Sequence, residues 1–287
     1  MIYTREGGDS MLNQISPVTI KDGICYQTEK NVEFSNPPVY EVIRVINGMP
    51  LYFNEHADRL FNSLALSHIE SKVHQSDLLA GIETLVKETG IINNNVRLEV
   101  GESHTGAFTW VLFWVKSQYP DKEVYLQGVK TVTSNVTRNN PHAKIYRKDY
   151  VDSINLLKQQ TGAYEVILIK ENDIVTEGSR SNLFFIKNGK LYAASEKDVL
   201  MGITREKLLK LLSALSIERI EMDIKVDTIQ HFEACFLTGT SIHLLPIKSI
   251  NDTHYNSASH PLFIKLKTAF EKIVKDDLEQ PKGGTIK

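Results

Sequence analysis

An α+β protein of two domains is predicted by three features of the chain. Its 287 residues are enough for two cores of ordinary size. Strand-like and helix-like segments follow one another without regular alternation. Pro120 and the charged residues after it mark a boundary, dividing an N-terminal domain over 1–120 from a C-terminal domain over 121–287.

The elements follow in chain order. Residues 1–10 are polar and glycine-containing, so a frayed start is expected, with Met11 as an alternative first residue. Residues 40–46 alternate as a strand, Asn47-Gly48 is a hairpin signal, and 51–53 is the return strand. Asn54 is placed to cap a helix whose buried stripe is Ala57, Leu60, Phe61 and Leu64, at i, i+3, i+4 and i+7. A second helix over 76–88 ends at Gly90, and strands follow over 96–100 and 108–115.

The second half opens with a strand near 124–133. A helix follows Lys148, with Tyr150, Val151, Ile154 and Leu157 on one face. Strands are expected over 164–170 and 182–186, with Lys187-Asn188-Gly189-Lys190 as a hairpin turn. Leu208, Leu211, Leu212 and Leu215 stripe a helix after Thr204. Residues 234–240 form a buried strand, and Pro261 opens a last helix with Leu266, Ala269, Phe270 and Ile273 inward. No internal repeat or low-complexity tract appears.

Composition excludes some functions. Lys and Arg number 33 against 35 Asp and Glu, a formal charge of −2, so there is no electrostatic case for nucleic acid. No apolar run is long enough to span a bilayer and no signal peptide is evident, so no membrane role is expected. Cys25 and Cys235 lie far apart without metal-type spacing, so no metal is expected; two reduced thiols in a cytoplasmic protein is the expectation.

Two segments carry most of the chemical information. Thr176-Glu177-Gly178-Ser179-Arg180-Ser181-Asn182 puts a carboxylate at a tight turn entering a strand. Gly202-Ile203-Thr204 opens a periodic helix, where free backbone N–H groups and a partial positive charge suit a phosphate, with the Thr hydroxyl as a further donor. An ordinary Thr-capped helix would read the same way. Arg59 lies off the apolar stripe of its helix. It suits bidentate contact with phosphate, or an i, i+4 pair with Glu55.

Together with Val39-Tyr40-Glu41-Val42-Ile43-Arg44-Val45, Asn54-Glu55-His56 and Arg59-Leu60, these segments resemble the class IV (fold type IV) aminotransferases, which depend on pyridoxal 5'-phosphate. That family includes the D-amino-acid and branched-chain aminotransferases and aminodeoxychorismate lyase. The resemblance runs from about residue 39 to 247. It implies a smaller N-terminal α/β domain, a larger C-terminal pseudo-barrel domain that binds the cofactor, and a homodimer. It also implies transfer of an amino group between an amino acid and a 2-oxo acid through a lysine Schiff base.

The resemblance assigns roles residue by residue. Glu177 matches the Glu that holds the pyridine nitrogen protonated, as an electron-accepting ring requires. Lys144 lies 33 positions ahead of it, the spacing of the catalytic lysine; Lys148 lies 29 ahead and fits less well. Arg59, Ile203, Thr204 and Thr240 would anchor the phosphate. Thr238-Gly239-Thr240-Ser241 resembles the family's Ser-Gly-Thr-Ala turn, with Ser241 toward the substrate carboxylate. Tyr40 and Arg97 match residues on the substrate side. Alternation puts Arg97 opposite Val96 and Leu98, on a substrate face or a solvent face.

Some positions depart from the family. Ser35-Asn36-Pro37-Pro38 replaces a glycine-rich run, and Arg147 and Arg180 stand where smaller or uncharged residues are usual. A cation at Arg180 could pair with Glu177. These departures keep open a lyase of the aminodeoxychorismate type, and a member that binds cofactor without catalysis.

Overall fold

The computed structural model describes residues 14–27, 32–117, 119–136, 142–280 and 282; the expectations for residues 1–10 and Met11 lie outside the described residues. The chain divides into two compact units. The first comprises the described residues of Met1–Gln118 together with Ala143–Tyr146 and those from Lys275 onward; the second comprises those of Tyr119–His142 and Arg147–Val274. A single boundary near residue 120 would put Ala143–Tyr146 in the second domain, whereas here that segment clusters with the first unit.

The first unit contains β1 (Gln14–Lys21), β2 (Ile24–Tyr26), β3 (Val39–Ile46), β4 (Met49–Pro50), α1 (Phe53–Leu66), α2 (Gln75–Thr89), β5 (Asn94–Glu102) and β6 (Phe108–Val115). Its strands form one antiparallel sheet in the order β2-β1-β6-β5-β3-β4. Asn47 and Gly48 both take positive φ, 51° and 80°, as the two-residue hairpin between β3 and β4 requires. Ile43, Val45, Val96, Leu98 and Leu112 from the sheet pack with Leu60 and Leu64 of α1 and Ile82 and Leu85 of α2.

The start of α1 corrects the sequence reading. The return strand is Met49–Pro50, not 51–53, and the helix begins at Phe53 without a cap from Asn54. Leu51, Tyr52 and Phe53 are all buried, which draws the chain into the core before Asn54 is reached. Tyr52 takes the cap position in the left-handed region (φ 53°, ψ 40°), and its N–H donates to Asp277 Oδ2 at 2.9 Å.

The second unit contains α3 (Lys122–Gln127), β7 (Val129–Ser134), α4 (Lys148–Thr161), β8 (Glu165–Lys170), β9 (Ile174–Gly178), β10 (Asn182–Lys187) and β11 (Lys190–Ala193). Then follow α5 (Ile203–Ala214), β12 (Arg219–Glu221), β13 (Ile224–Lys225), β14 (Ala234–Gly239), β15 (His243–Ile250), β16 (Thr253–His254) and α6 (Pro261–Glu279), whose last residues belong to the first unit. Ten strands form one sheet in the order β12-β11-β10-β14-β15-β7-β8-β9-β13, with β16 on β15. The pairs β15–β7, β7–β8 and β11–β12 are parallel and the others antiparallel, so the sheet is mixed. Its core includes Val129, Ile167, Phe185, Leu237, Leu245 and Ile247.

Residues 124–127 are a second correction, because they are helical rather than the start of a strand. The Asp121 carboxylate accepts from Val124 N at 3.0 Å and caps α3, and Gly128 (φ 79°) turns the chain out of it. A Cβ at Gly128 would stand 2.9 Å from Lys248 N and 3.1 Å from Pro246 O, backbone atoms of β15 that have no freedom to yield. Gly128→Ala should therefore destabilise the protein by about 1–3 kcal/mol in urea unfolding; a midpoint equal to wild type would contradict this account of the turn.

Candidate active site

A carboxylate occupies a core-facing position in the first unit. Along β3 the residues Val39, Glu41, Ile43 and Val45 are buried while those between them are half-buried, so Glu41 faces inward with apolar neighbours. Three cationic or N–H groups meet it there. Arg59 of α1 forks onto it, Nε to Oε1 and Nη2 to Oε2, both at 2.7 Å. His56, one turn earlier on the same helix, lies with Nδ1 2.7 Å from Oε2. Lys144 Nζ is 3.5 Å from Oε2.

Burial alone would raise the Glu41 pKa. The Arg59 and Lys144 charges and the hydrogen bonds from His56 and Arg59 outweigh it and hold the carboxyl well below its usual range. His56 moves the other way for its class: burial lowers its pKa, against the pull of Glu41, which favours the neutral ring. Nδ1 then carries the proton that Glu41 accepts, and Nε2 is a buried lone pair without a hydrogen-bond donor.

Lys144 itself is held by main chain. Ile145 bridges Val39, Tyr40 N donates to Lys144 O at 3.0 Å, Tyr146 N donates to Pro38 O at 3.0 Å, and Lys144 N donates to Ser63 Oγ at 3.3 Å. The Lys144 ammonium also lies 5.3 Å from the centre of the Tyr40 ring. Lys148, by contrast, is exposed at the first position of α4. On the opposite face of the sheet from Val96 and Leu98, Arg97 donates from Nε to Glu99 Oε1 at 2.7 Å and lies against Tyr40 and Tyr146.

The second unit gathers a different set. Glu177, at the end of β9, is buried, and its Oε2 accepts from Asn182 Nδ2 at 3.0 Å and from Leu200 N at 3.1 Å. Asn182 also donates to Leu200 O at 2.8 Å, so one amide ties Glu177 to the strand-to-helix connection. The turn after Glu177 is held by buried Glu165, which accepts from Ser179 Oγ at 2.5 Å, Ser181 Oγ at 3.0 Å and Arg180 N at 3.2 Å. The guanidinium of Arg180 reaches Asn155 Oδ1 at 3.2 Å.

The first turn of α5 follows directly. Its cap is Gly202, with no side chain to satisfy the free N–H groups, and a Cβ there would collide with Asn182 Oδ1. Ile203 and Thr204 are buried, and Thr204 Oγ1 has no hydrogen-bond partner. Thr238 Oγ1 is likewise buried without one, on β14 directly opposite Asn182. Thr240 and Ser241 are half-buried in the turn from β14 to β15. Arg205 is almost fully buried, 5.3 Å from the Phe184 ring, with Nη2 3.7 Å from Glu221 Oε1.

Uncapped helix N–H groups and two orphaned buried hydroxyls suit an anion, and buried Glu177, tied through Asn182 to the connection that leads into α5, suits a protonated ring nitrogen. These residues fit the phosphate and pyridine groups of pyridoxal phosphate. Sequence reasoning missed Glu41, His56, Glu165, Asn182 and Thr238. Glu41 carried a signal, since a carboxylate in phase with Val39, Ile43 and Val45 is anomalous in a strand.

Residues 38–250 match the family described as amino-transferase class IV. The chain is 26% identical over 240 residues to the branched-chain-amino-acid aminotransferase of Pseudomonas aeruginosa, covering 78% of each. It is 30% identical over 260 residues to the D-alanine aminotransferase of Listeria monocytogenes serotype 4b, covering 83% of this chain and 87% of that one. Among solved structures, the T.th. branched-chain amino acid aminotransferase with pyridoxamine 5'-phosphate superposes with a TM-score of 0.78 at 21% identity, over 93% of this chain and 96% of that one. The chain belongs to the class IV aminotransferases. It is an enzyme that transfers amino groups with pyridoxal phosphate as cofactor.

The depressed pKa values of His56 and Glu41 have the same sign for stability. Each contributes fully above its unfolded value, near 6.5 and 4.5, and loses that contribution as pH falls toward the folded value. His56→Asn should therefore flatten the unfolding free energy between about pH 7 and 5 relative to wild type, while the loss at lower pH persists. Parallel profiles for the two proteins would show that His56 is not buried as the neutral ring.

Proposed function

We propose that Lys144 is the amine that moves the proton in this transamination, and that Glu177, Thr204 and Thr240 bind the cofactor. The observation that carries the reading is the seat of Lys144: a main chain stitched to β3, and an amine 3.5 Å from a buried, ionised Glu41. Pyridoxal phosphate, when bound, supplies a reactive carbonyl and an electron-accepting ring. Lys144 takes the proton from the substrate Cα and returns one on the reverse half-reaction. Glu41 stabilises the ammonium that Lys144 becomes, and Arg59 and His56 keep Glu41 ionised for that purpose.

In the second unit, Asn182 and Leu200 N hold Glu177 in place for the ring nitrogen. The α5 N-terminus, with Ile203, the Thr204 hydroxyl and Thr240, holds the phosphate. Arg59, which the family resemblance gives to the phosphate, has two of its donors committed to Glu41. Tyr40 and Ser241 are read as substrate-side groups. The substrates are an amino acid and a 2-oxo acid.

The two cysteines form no disulfide, which supports a reducing, cytoplasmic setting, and no described helix is long and apolar enough to cross a membrane. A homodimer is the reading for assembly, checked by light scattering on the eluting protein.

Lys144→Ala should lower kcat by about a thousandfold or more across amino acid and 2-oxo acid pairs. Borohydride reduction of the cofactor-loaded wild type should label the peptide containing Lys144; a label on Lys148, or turnover retained in Lys144→Ala, refutes the assignment. Thr204→Val separates binding from folding. Because the hydroxyl is orphaned, the valine should leave the cofactor-free melting temperature equal or higher, while cofactor affinity falls about tenfold. Lower stability with unchanged affinity would mean that Thr204 serves the fold and not the phosphate.

A further inference from the structure

The segment that carries Lys144 clusters with the first unit but lies outside its named strands. A bridge and hydrogen bonds join Ala143–Tyr146 to β3 and α1. A side-chain anchor lies beside it. The Arg97 guanidinium is 4.5 Å from the centre of the Tyr40 ring and 4.8 Å from that of Tyr146. The two rings stand at 87° to each other with centres 6.2 Å apart. The cation therefore sits in the corner between a ring on β3 and a ring two residues beyond Lys144, attracted to both faces.

The charge of Arg97 is already answered. Its Nε donates to Glu99 Oε1 at 2.7 Å, and only 4% of the Glu99 side chain is exposed. Glu99 stands opposite Tyr40 in the β3–β5 register, so the acid, the cation and the ring share one face of the sheet. A carboxylate arriving at Arg97 would meet a buried carboxylate already bonded to it, and the two would repel. The pair is close to neutral from outside, which is a poor receptor for an acidic substrate and a good joint between two segments.

We infer that Arg97 is a positioning residue for Lys144, acting through Tyr146 to hold the lysine segment on β3, and not a receptor for a substrate carboxylate. The inference rests on the reading of Lys144 as the catalytic amine. With Arg97 paired to Glu99, this residue gives no selective advantage to dicarboxylic over aliphatic 2-oxo acids.

The test uses the cofactor-loaded full-length enzyme with Arg97→Met, Arg97→Lys, Tyr146→Leu and the double variant Arg97→Met/Tyr146→Leu. Turnover is measured with one dicarboxylic and one aliphatic 2-oxo acid, and amide hydrogen exchange is followed in peptides spanning 143–146. Arg97→Met should lower kcat about tenfold or more for both acceptors, as a misplaced catalytic group does. The ratio of their kcat/KM values should stay within about twofold of wild type. Exchange in 143–146 should quicken, with the rest of the first unit unchanged. Tyr146→Leu should match Arg97→Met, and the double variant should add little, because both remove one joint. Arg97→Lys keeps the cation and should fall between, and it reads the same split if the methionine variant does not fold.

A rise in KM for the dicarboxylic acceptor alone, with kcat retained, would make Arg97 a substrate receptor and overturn the inference. Unchanged kcat and exchange would overturn it too. Lys144→Ala, run alongside, keeps the two readings apart. If that variant is dead while Arg97→Met equals wild type, only the role of Arg97 falls. If it turns over normally, the lysine assignment falls first and the positioning role with it.

Discussion

Burial of the Glu41 carboxylate is the constraint on which the first unit depends. An ionised carboxylate out of water costs several kcal/mol unless its oxygens are met by well-placed donors. Here both oxygens are met, by the Arg59 fork, by His56 and by the Lys144 amine. Those donors come from α1 and from the Ala143–Tyr146 segment, while Glu41 comes from β3. Placing α1 against the sheet and placing the lysine are thus one problem. Removing any single partner would leave a buried charge partly unanswered, the expensive case for such networks.

The second unit buries a carboxylate of its own, Glu177. Glu177 accepts from the Asn182 amide and the Leu200 backbone N–H, and the Arg205 charge acts on it as well. Asn182 has a second duty, because its oxygen fills the space above Gly202. A side chain at 202 would displace the amide that orients Glu177, so the open N-terminus of α5 and the aim of the carboxylate share one asparagine. A negative group and a positive helix end, fixed by the same residue, match a ligand that carries a cationic nitrogen and an anionic phosphate.

Most of the fold was legible because its signals are local. Asn47-Gly48 and Asn188-Gly189 both take the positive φ values of tight hairpins, and Leu208 and Leu212 are buried as their spacing requires. The failures occur where a distant contact decides. Tyr52 caps α1 because Asp277, 225 residues away, receives its N–H, and no window around residue 52 contains that information. Residues 124–127 have the β-branched and aromatic character of a strand, and Asp121 with Gly128 overrides it. For the site, the residues that resemble known motifs could be named, whereas those that orient them could not. Glu165 and Asn182 look like ordinary strand-end polar residues until the turn at 178–181 folds onto them.

The positions that depart from the family bear on whether the enzyme is active, and their contacts answer the concern raised by their charge. A cation at 180 threatens Glu177 only if it turns toward it. Arg180 instead reaches Asn155 on α4, while its own backbone N–H helps Glu165 hold the turn. Arg147 spans to Asp149, and the guanidinium hydrogen bond made there is exposed and local, at the start of α4. Glu177 keeps its amide and backbone donors, and Lys144 keeps its main-chain seat and its carboxylate. The Arg180 charge is therefore accommodated by α4 and the outside of the turn, while Arg147 is paired at Nη2 and has its Nη1 buried without a hydrogen bond. A buried, ionised Glu41 held 3.5 Å from the Lys144 amine is the kind of perturbed carboxylate found at functional sites, which argues for a working enzyme over a cofactor-binding relic.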